Sequence, residues 1–126
     1  MSLSIETCRQ RGREAVIALH GEVDYITALE LRGTISAVLG AGDVDMIIIN
    51  LAGVTFLDST GVGTIVVAAR ICADMRVGFR VIEANPFIVK LFTVVGVAEM
   101  LGVPVEPDVS PQVAKPRASS SASRVA

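Results

Sequence analysis

The chain has 126 residues, of which 52% are hydrophobic and 19% charged, and its formal net charge is −2. This length and composition predict one globular domain with a short appendage. A slightly acidic chain with 4% aromatic residues and no tryptophan lacks the basic surface and the base-stacking side chains of nucleic-acid-binding proteins, so nucleic acid is excluded as the main partner. Charged residues interrupt the apolar runs before they reach membrane-spanning length, so no membrane insertion is predicted.

The cysteines and the N-terminus bear on cofactors and location. Cys8 and Cys72 lie far apart, form no CxxC pair and come with a single histidine, His20, so the ligands of a structural metal site are missing. Both cysteines are expected to be reduced and half-buried, and His20 is read as a strand-end residue without a role. No basic segment followed by a long apolar stretch opens the chain, unlike a secretory signal. The sequence therefore predicts a cytoplasmic protein with no metal and no cofactor.

The first third of the chain predicts a β-hairpin followed by a helix. Strands are predicted at residues 3–9 and 15–19, with a polar turn between them. Thr27 and Glu30 fit the S/T-x-x-E capping box that begins many helices, and apolar residues then recur at helical spacing. The hairpin predicts an antiparallel N-terminal strand.

The remainder alternates strand and helix. Residues 46–51 form an apolar, mostly β-branched run, typical of a central parallel strand. A helix is predicted from Ser59 to about Asp74, a strand at 79–83, and a second helix beginning at the Asn-Pro pair 85–86. This order predicts an α/β fold, namely one small domain with a mostly parallel mixed sheet, an antiparallel N-terminal strand and helices packed on it.

The C-terminal end changes composition. Residues 103–105 fit a last edge strand, and from there the sequence is rich in proline, serine and alanine. Such a segment buries too little apolar surface to order itself. We therefore predict a folded domain over residues 1–106 and a disordered tail over residues 107–126.

The most informative motif is the segment 56–63, Phe-Leu-Asp-Ser-Thr-Gly-Val-Gly, at a junction of strand and helix. It places Ser59 beside the free N–H groups of a helix start, where the hydroxyl can cap the helix or carry a phosphate. Asp58 fits either a capping group or a group that orients that hydroxyl or contacts the enzyme that modifies it. Asp24 follows the second predicted strand, so it is expected at the same edge of the sheet.

Four segments together resemble the STAS domain of bacterial anti-sigma factor antagonists. They are 21–24 (Gly-Glu-Val-Asp), 56–63, 85–92 (Asn-Pro-Phe-Ile-Val-Lys-Leu-Phe) and 95–97 (Val-Gly-Val). The resemblance covers about residues 4–106. It implies a non-enzymatic switch that binds an anti-sigma factor, itself a serine kinase with an ATPase domain of the histidine-kinase type, and so releases a sigma factor. A STAS subunit of a larger signalling scaffold or an accessory of a membrane transporter stays open as an alternative, as does a weak homodimer.

The resemblance also implies roles for individual residues. The phosphorylated serine of the family matches Ser59, its neighbouring acidic positions match Asp24 and Asp58, and Thr60 matches a position that is serine or threonine. A phosphate adds a charge of about −1.5 to −2 beside a helix N-terminus that favours anions by roughly 0.3–1 kcal/mol, so the modified domain is expected to stay folded while a partner interface is penalised. The predicted partner-binding residues are Asp24, Asp58, Ser59, Thr60, Gly61 and Val62.

A small hydrolase is the less favoured reading of the same motif. The nucleophile elbow G-x-S-x-G needs a glycine where Leu57 stands, and its fold orders serine, aspartate and histidine, whereas His20 precedes Ser59. Gly61 and Gly63 also lack the third glycine of a dinucleotide loop and the lysine of a P-loop. The sequence therefore predicts no enzyme and no catalytic residues.

Overall fold

A computed structural model describes residues 2–98 and 100–101 of the chain. In this part the elements follow the order of a hairpin and then alternating helices and strands. They are β1 (Leu3–Gln10), β2 (Glu14–Val23), α1 (Ala28–Ala41), β3 (Met46–Leu57), α2 (Ser59–Asp74), β4 (Gly78–Ile82) and α3 (Pro86–Val94).

The strands form one mixed sheet with the order β1-β2-β3-β4. β1 runs antiparallel to β2, whereas β2, β3 and β4 pair in parallel. The hairpin turn uses left-handed backbone at Gly12 (φ 74°) and Arg13 (φ 64°). The predicted α/β fold with an antiparallel N-terminal strand is confirmed, and so is the central position of β3.

The core lies on one face of the sheet. Alternate residues of β2 and β3, among them Ile17, Leu19, Ile47 and Ile49, have no exposed surface, and they share one apolar cluster with buried residues of all three helices. Because alternate residues of a strand point to the same face, the helices cover that face. Ile48 points the other way and is also buried, which explains the continuous apolar run of β3.

β3 is longer than its apolar run predicts. It continues to Leu57, whereas the ladder with β4 ends at the pair Asn50↔Ile82. Pairing with β2 sustains the extra residues, and β3 accommodates two register shifts there, each with one extra residue on the β3 side. The ring of His20 lies where a side chain at Gly53 would be, so glycine permits this close packing. The C-terminal ends of β2 and β3 therefore extend beyond the end of β4.

Two expectations about single residues are wrong. Cys8 is exposed and Cys72 is fully buried, although both were expected to be half-buried. Cys72 lies on the face of α2 that packs into the core, and burial raises the pKa of its thiol. The cysteines are free, as predicted. The predicted strand at 103–105 and the predicted tail 107–126 lie outside the described residues.

The helices of the described part are too short or too polar to cross a bilayer. α2, the longest of these helices, has 16 residues and carries Arg70 and Asp74.

Candidate functional site

The site lies where β2 and β3 end side by side. Val23 and Leu57 are the last paired residues of the two strands, and the Asp58 N–H donates to the Val23 carbonyl at 3.2 Å. Adjacent strands lie about 4.8 Å apart, so Asp24 and Asp58 leave the sheet as neighbours. The sheet therefore brings Asp24 and the segment 58–60 together, as the sequence predicted.

Asp58 is the N-cap of α2. Its backbone is extended (φ −101°, ψ −176°), and its Oδ1 accepts the Gly61 N–H at 2.8 Å. Its carbonyl accepts the Val62 N–H at 2.9 Å, which begins the helical ladder. Of the two alternatives for this carboxylate, the structure shows the cap.

Ser59 is the first residue of α2 and is exposed. Because Asp58 caps the helix, the Ser59 hydroxyl is not needed there, and it makes no hydrogen bond to any residue that the structure describes. Thr60 is also exposed, and its carbonyl accepts the Thr64 hydroxyl at 2.9 Å. The serine hydroxyl is therefore accessible for modification without loss of the cap.

Asp24 organises the turn before α1. Its Oδ1 accepts the N–H groups of Ile26 at 3.0 Å and Thr27 at 2.9 Å, together with the Thr27 hydroxyl. The hydrogen bond from the Thr27 N–H is the main reason why the pKa of Asp24 lies below its usual value. Asp24 is thus ionised and held in one orientation at neutral pH.

The predicted capping box at Thr27 is wrong. Thr27 has helical backbone angles, and its buried hydroxyl donates to the Glu22 carbonyl at 2.7 Å instead of capping α1. The Ala28 N–H donates to the Asp24 carbonyl at 2.8 Å. Asp24 therefore begins the helical turns three residues earlier than the sequence pattern indicated, and residues 25–27 form the first turn.

Gly61 and Val62 face inward. A β-carbon on Gly61 would lie 2.6 Å from Leu57 Cδ1 and 2.9 Å from Val23 Cγ1, so only glycine lets α2 approach the strand ends this closely. Val62 is buried in the core cluster. These two residues hold the segment in place, while Ser59 and Thr60 form its exposed surface. Their assignment to the partner-binding set stays a prediction.

Sequence reasoning missed an exposed apolar cluster beside Asp24. Tyr25, Ile26 and Leu29 are between 63% and 68% exposed, and Phe56, at the end of β3, is 42% exposed. The residue that begins the helix would have revealed this cluster. With Asp24 rather than Thr27 at the helix start, Tyr25 and Ile26 enter the first turn. Exposed large apolar side chains in a group are typical of interaction sites.

The sequence of this domain matches a known protein family. The model of the STAS domain matches residues 6–112. The chain belongs to the STAS domain family. The match includes β2, β3 and α2, which carry the site, and it ends at residue 112, whereas the domain boundary predicted from composition is residue 106.

A curated relative of this STAS domain is described as an anti-sigma factor antagonist. An anti-sigma F factor antagonist from Lysinibacillus sphaericus is 42% identical over 71 residues, which are 56% of this chain and 59% of the relative. The chain thus spans about three fifths of the length of that curated relative.

Solved structures show the same fold. An anti-sigma factor antagonist from Mycobacterium paratuberculosis superposes with a TM-score of 0.70 at 24% identity, over 86% of this chain and 88% of that one. The Bacillus cell fate determinant SpoIIAA in its phosphorylated form gives 0.65 at 25% identity, over 83% and 95% of the two chains. SpoIIAA in its unphosphorylated form gives 0.61 at 27% identity, over 71% and 81%.

Proposed function

We propose that this STAS domain is a cytoplasmic anti-sigma factor antagonist whose partner is an anti-sigma factor with serine kinase activity. The unmodified domain binds that partner and so releases a sigma factor, and phosphorylation of Ser59 ends the binding. The observation that carries the proposal is the exposed Ser59 hydroxyl, left free at the start of α2 because Asp58 provides the cap.

The relatives support this proposal. The Lysinibacillus sphaericus protein is described as an anti-sigma F factor antagonist, and SpoIIAA, described as an anti-sigma factor antagonist, has been solved in phosphorylated and unphosphorylated forms. A domain of this fold therefore exists in both states. We infer the same pair of states for this chain, with Ser59 as the acceptor.

The local electrostatics favour a switch of binding over a switch of folding. The first-turn N–H groups of α2 have no intrahelical acceptors and the helix dipole is positive at this end, so a phosphate there is tolerated by the fold. In an interface the same phosphate must be desolvated and lies beside the ionised Asp24. Each 1.4 kcal/mol of such a penalty weakens binding about tenfold.

The surroundings of Ser59 give no support to a hydrolase. His20 pairs across β2 and β3 with Gly53, and its Nε2 lies 3.9 Å from Glu6 Oε1. The site begins five residues further along β3, at Asp58, which is about 16 Å away at roughly 3.3 Å per residue. This histidine is too far from Ser59 to act as its general base. We therefore assign Ser59 as a residue that is acted upon, and we propose no enzyme activity.

The acceptor assignment is tested by phosphorylation in vitro. The purified protein is incubated with its candidate anti-sigma kinase and ATP, and the modified residue is mapped by mass spectrometry. We expect one phosphate on Ser59, the same result for Thr60→Ala, and none for Ser59→Ala. A phosphate that persists in Ser59→Ala, or none in the wild type, contradicts the assignment.

The switch itself is tested by the affinity of two variants for the unmodified partner, measured by isothermal titration calorimetry. Ser59→Ala should bind as the wild type does, and Ser59→Asp at least about tenfold more weakly, because about 1.4 kcal/mol of charge penalty suffices. Ser4→Asp places the same charge on an exposed residue of β1 and serves as the control. Equal affinities of the two Ser59 variants would reject a charge-gated interface.

A further inference from the structure

Helices α1 and α2 leave a groove of about 420 Å³ between them. α1 contributes Arg32 and Ser36 to its wall, and α2 contributes Gly63, Val67 and Ile71. Val67 is 54% exposed and Ile71 is 44% exposed, although both side chains are aliphatic. The groove therefore presents apolar surface to solvent, next to the site but not part of it.

The α2 wall of the groove begins one turn after Ser59. Residues 59, 63, 67 and 71 follow one another at intervals of four, so each lies about one turn beyond the last and is rotated by about 40° around the helix axis. At 1.5 Å per residue the distance along the axis from Ser59 to Ile71 is about 18 Å. Gly63, Val67 and Ile71 thus form a stripe that starts beside Ser59 and winds around α2 along the groove.

Gly63 is unexplained by the described structure alone. It lies inside α2 with ordinary helical backbone, and a β-carbon built on it meets nothing within 4 Å. Glycine in a helix interior is less stable than alanine, so the free domain gains nothing from it. A second helix that packs on this stripe would gain, because a missing side chain lets two helix backbones approach closely.

Arg32 determines the charge that the groove accepts. It is the only charged residue among those that line the groove. Within residues 2–98 and 100–101 its guanidinium has no carboxylate within 4.0 Å. A cation without an anion at the border of an apolar groove is complementary to an acidic side chain on an otherwise apolar surface.

We propose that the α1–α2 groove binds an amphipathic helix of the anti-sigma factor. The apolar face of that helix packs on Val67 and Ile71, its backbone passes over Gly63, and one of its acidic side chains pairs with Arg32. An amphipathic helix that lays its apolar face into an apolar groove is a recurring mode of recognition. The proposal rests on the proposed function, and it adds where the partner binds: a phosphate on Ser59 lies at the end of the docked helix, so it is sensed by a surface much larger than the first turn of α2.

Gly63→Ala and Gly33→Ala form the decisive pair. Gly33 is an exposed helical glycine of α1 that also has open space at its β-carbon but does not line the groove. Both variants should raise the thermal midpoint of the free domain. Only Gly63→Ala should weaken binding to the anti-sigma factor that phosphorylates Ser59, by tenfold or more. Weaker binding by a variant with a higher thermal midpoint shows that a contact with the partner is lost and that the fold is not.

The charge is tested by Arg32→Glu with Arg70→Glu as its control, since Arg70 is an exposed residue of α2 outside the groove. Arg32→Glu should bind the partner at least tenfold more weakly, whereas Arg70→Glu should bind within twofold of the wild type. A Glu→Lys or Asp→Lys change in the docked helix should restore binding to Arg32→Glu.

The outcomes distinguish this proposal from the function on which it rests. If the groove variants bind normally while Ser59→Asp binds poorly, the groove is rejected and the phosphoswitch stands. If Ser59→Ala and Ser59→Asp bind alike, the function fails and the groove proposal fails with it. If sedimentation shows that Arg32→Glu disrupts a dimer of this chain while partner binding is unchanged, the groove joins two copies and the proposal is overturned.

Discussion

At the scale of single residues, the cap of α2 and the candidate site of modification are two different residues, Asp58 and Ser59. Asp58 satisfies the Gly61 N–H, and Ser59 is left without a structural duty. Modification of Ser59 therefore does not remove a cap from α2. The phosphate that we propose for Ser59 would therefore leave the hydrogen bond of the cap in place.

The capping role of Asp58 predicts different stabilities for two substitutions. Asp58→Ala should lower the free energy of unfolding by about 1 kcal/mol because the cap is lost, whereas Asp58→Asn should be close to the wild type since asparagine caps equally well. Urea unfolding followed by circular dichroism measures both. An unchanged stability of Asp58→Ala would contradict the role as cap. Any change in phosphorylation rate with Asp58→Asn then reports on the charge alone.

The residues of the site were predictable to different degrees. Asp24, Asp58 and Ser59 were found because each follows a strand, and strand ends of a parallel sheet meet at one edge. Thr27 was misread because its hydroxyl donates backwards to the Glu22 carbonyl, which no local pattern encodes. The sequence pattern placed Tyr25 before the helix rather than in its first turn, so the apolar cluster was missed with it.

At the scale of elements, the approach of α2 to the strand ends decides where Ser59 stands. Gly61 touches the region of Val23 and Leu57, one from each strand of the central pair. The position of the first turn of α2 therefore depends on how β2 and β3 lie relative to each other. The predicted bounds of α2 agree with the structure, because Asp58 and the apolar face together define both its start and its phase.

Gly61→Ala should destabilise the domain by about 1–3 kcal/mol, since the added methyl must displace Leu57, Val23 or the helix itself. Gly33→Ala, in open space on α1, should instead stabilise it by up to about 1 kcal/mol. Chemical denaturation of the two variants under identical conditions makes the comparison. Equal stability of Gly61→Ala and the wild type would show that the close approach is not required.

The length of β3 shows what a local pattern cannot supply. Its last six residues, from Ala52 to Leu57, include a glycine and one exposed polar residue, Thr55, so they do not read as a buried strand. They are extended because β2 pairs with them, two register shifts included. Pairing between distant segments is a tertiary effect, and a single strand carries no sign of it.

At the scale of the whole molecule, a backbone hydrogen bond joins β4 to the segment that follows α3. The Leu101 carbonyl accepts the Val81 N–H at 2.9 Å, and the Leu101 side chain is fully buried. Ala98 and Leu101, which follow α3, therefore belong to the core. Composition alone placed the end of the domain at residue 106, and that boundary stays a prediction.

Removal of residues 107–126 should leave the thermal midpoint unchanged, because a segment of this composition has little apolar surface to bury. Leu101→Ala should lower the free energy of unfolding by about 2–5 kcal/mol, as other large-to-small core substitutions do. Differential scanning calorimetry compares both with the full chain. A drop of several degrees on truncation would place part of the removed segment in the folded domain.

The parallel pairing of β2 with β3 has a consequence for the order of folding. Val23 and Leu57 are joined only when a loop of more than thirty residues, α1 included, has closed, whereas the β1–β2 hairpin forms from neighbours in sequence and needs no such closure. Until that ladder forms, Ser59 belongs to a flexible chain and Asp24 is not beside it. Under the proposed function, a kinase that recognises the assembled surface would act on completed molecules, and newly made chains would enter the proposed switch unmodified.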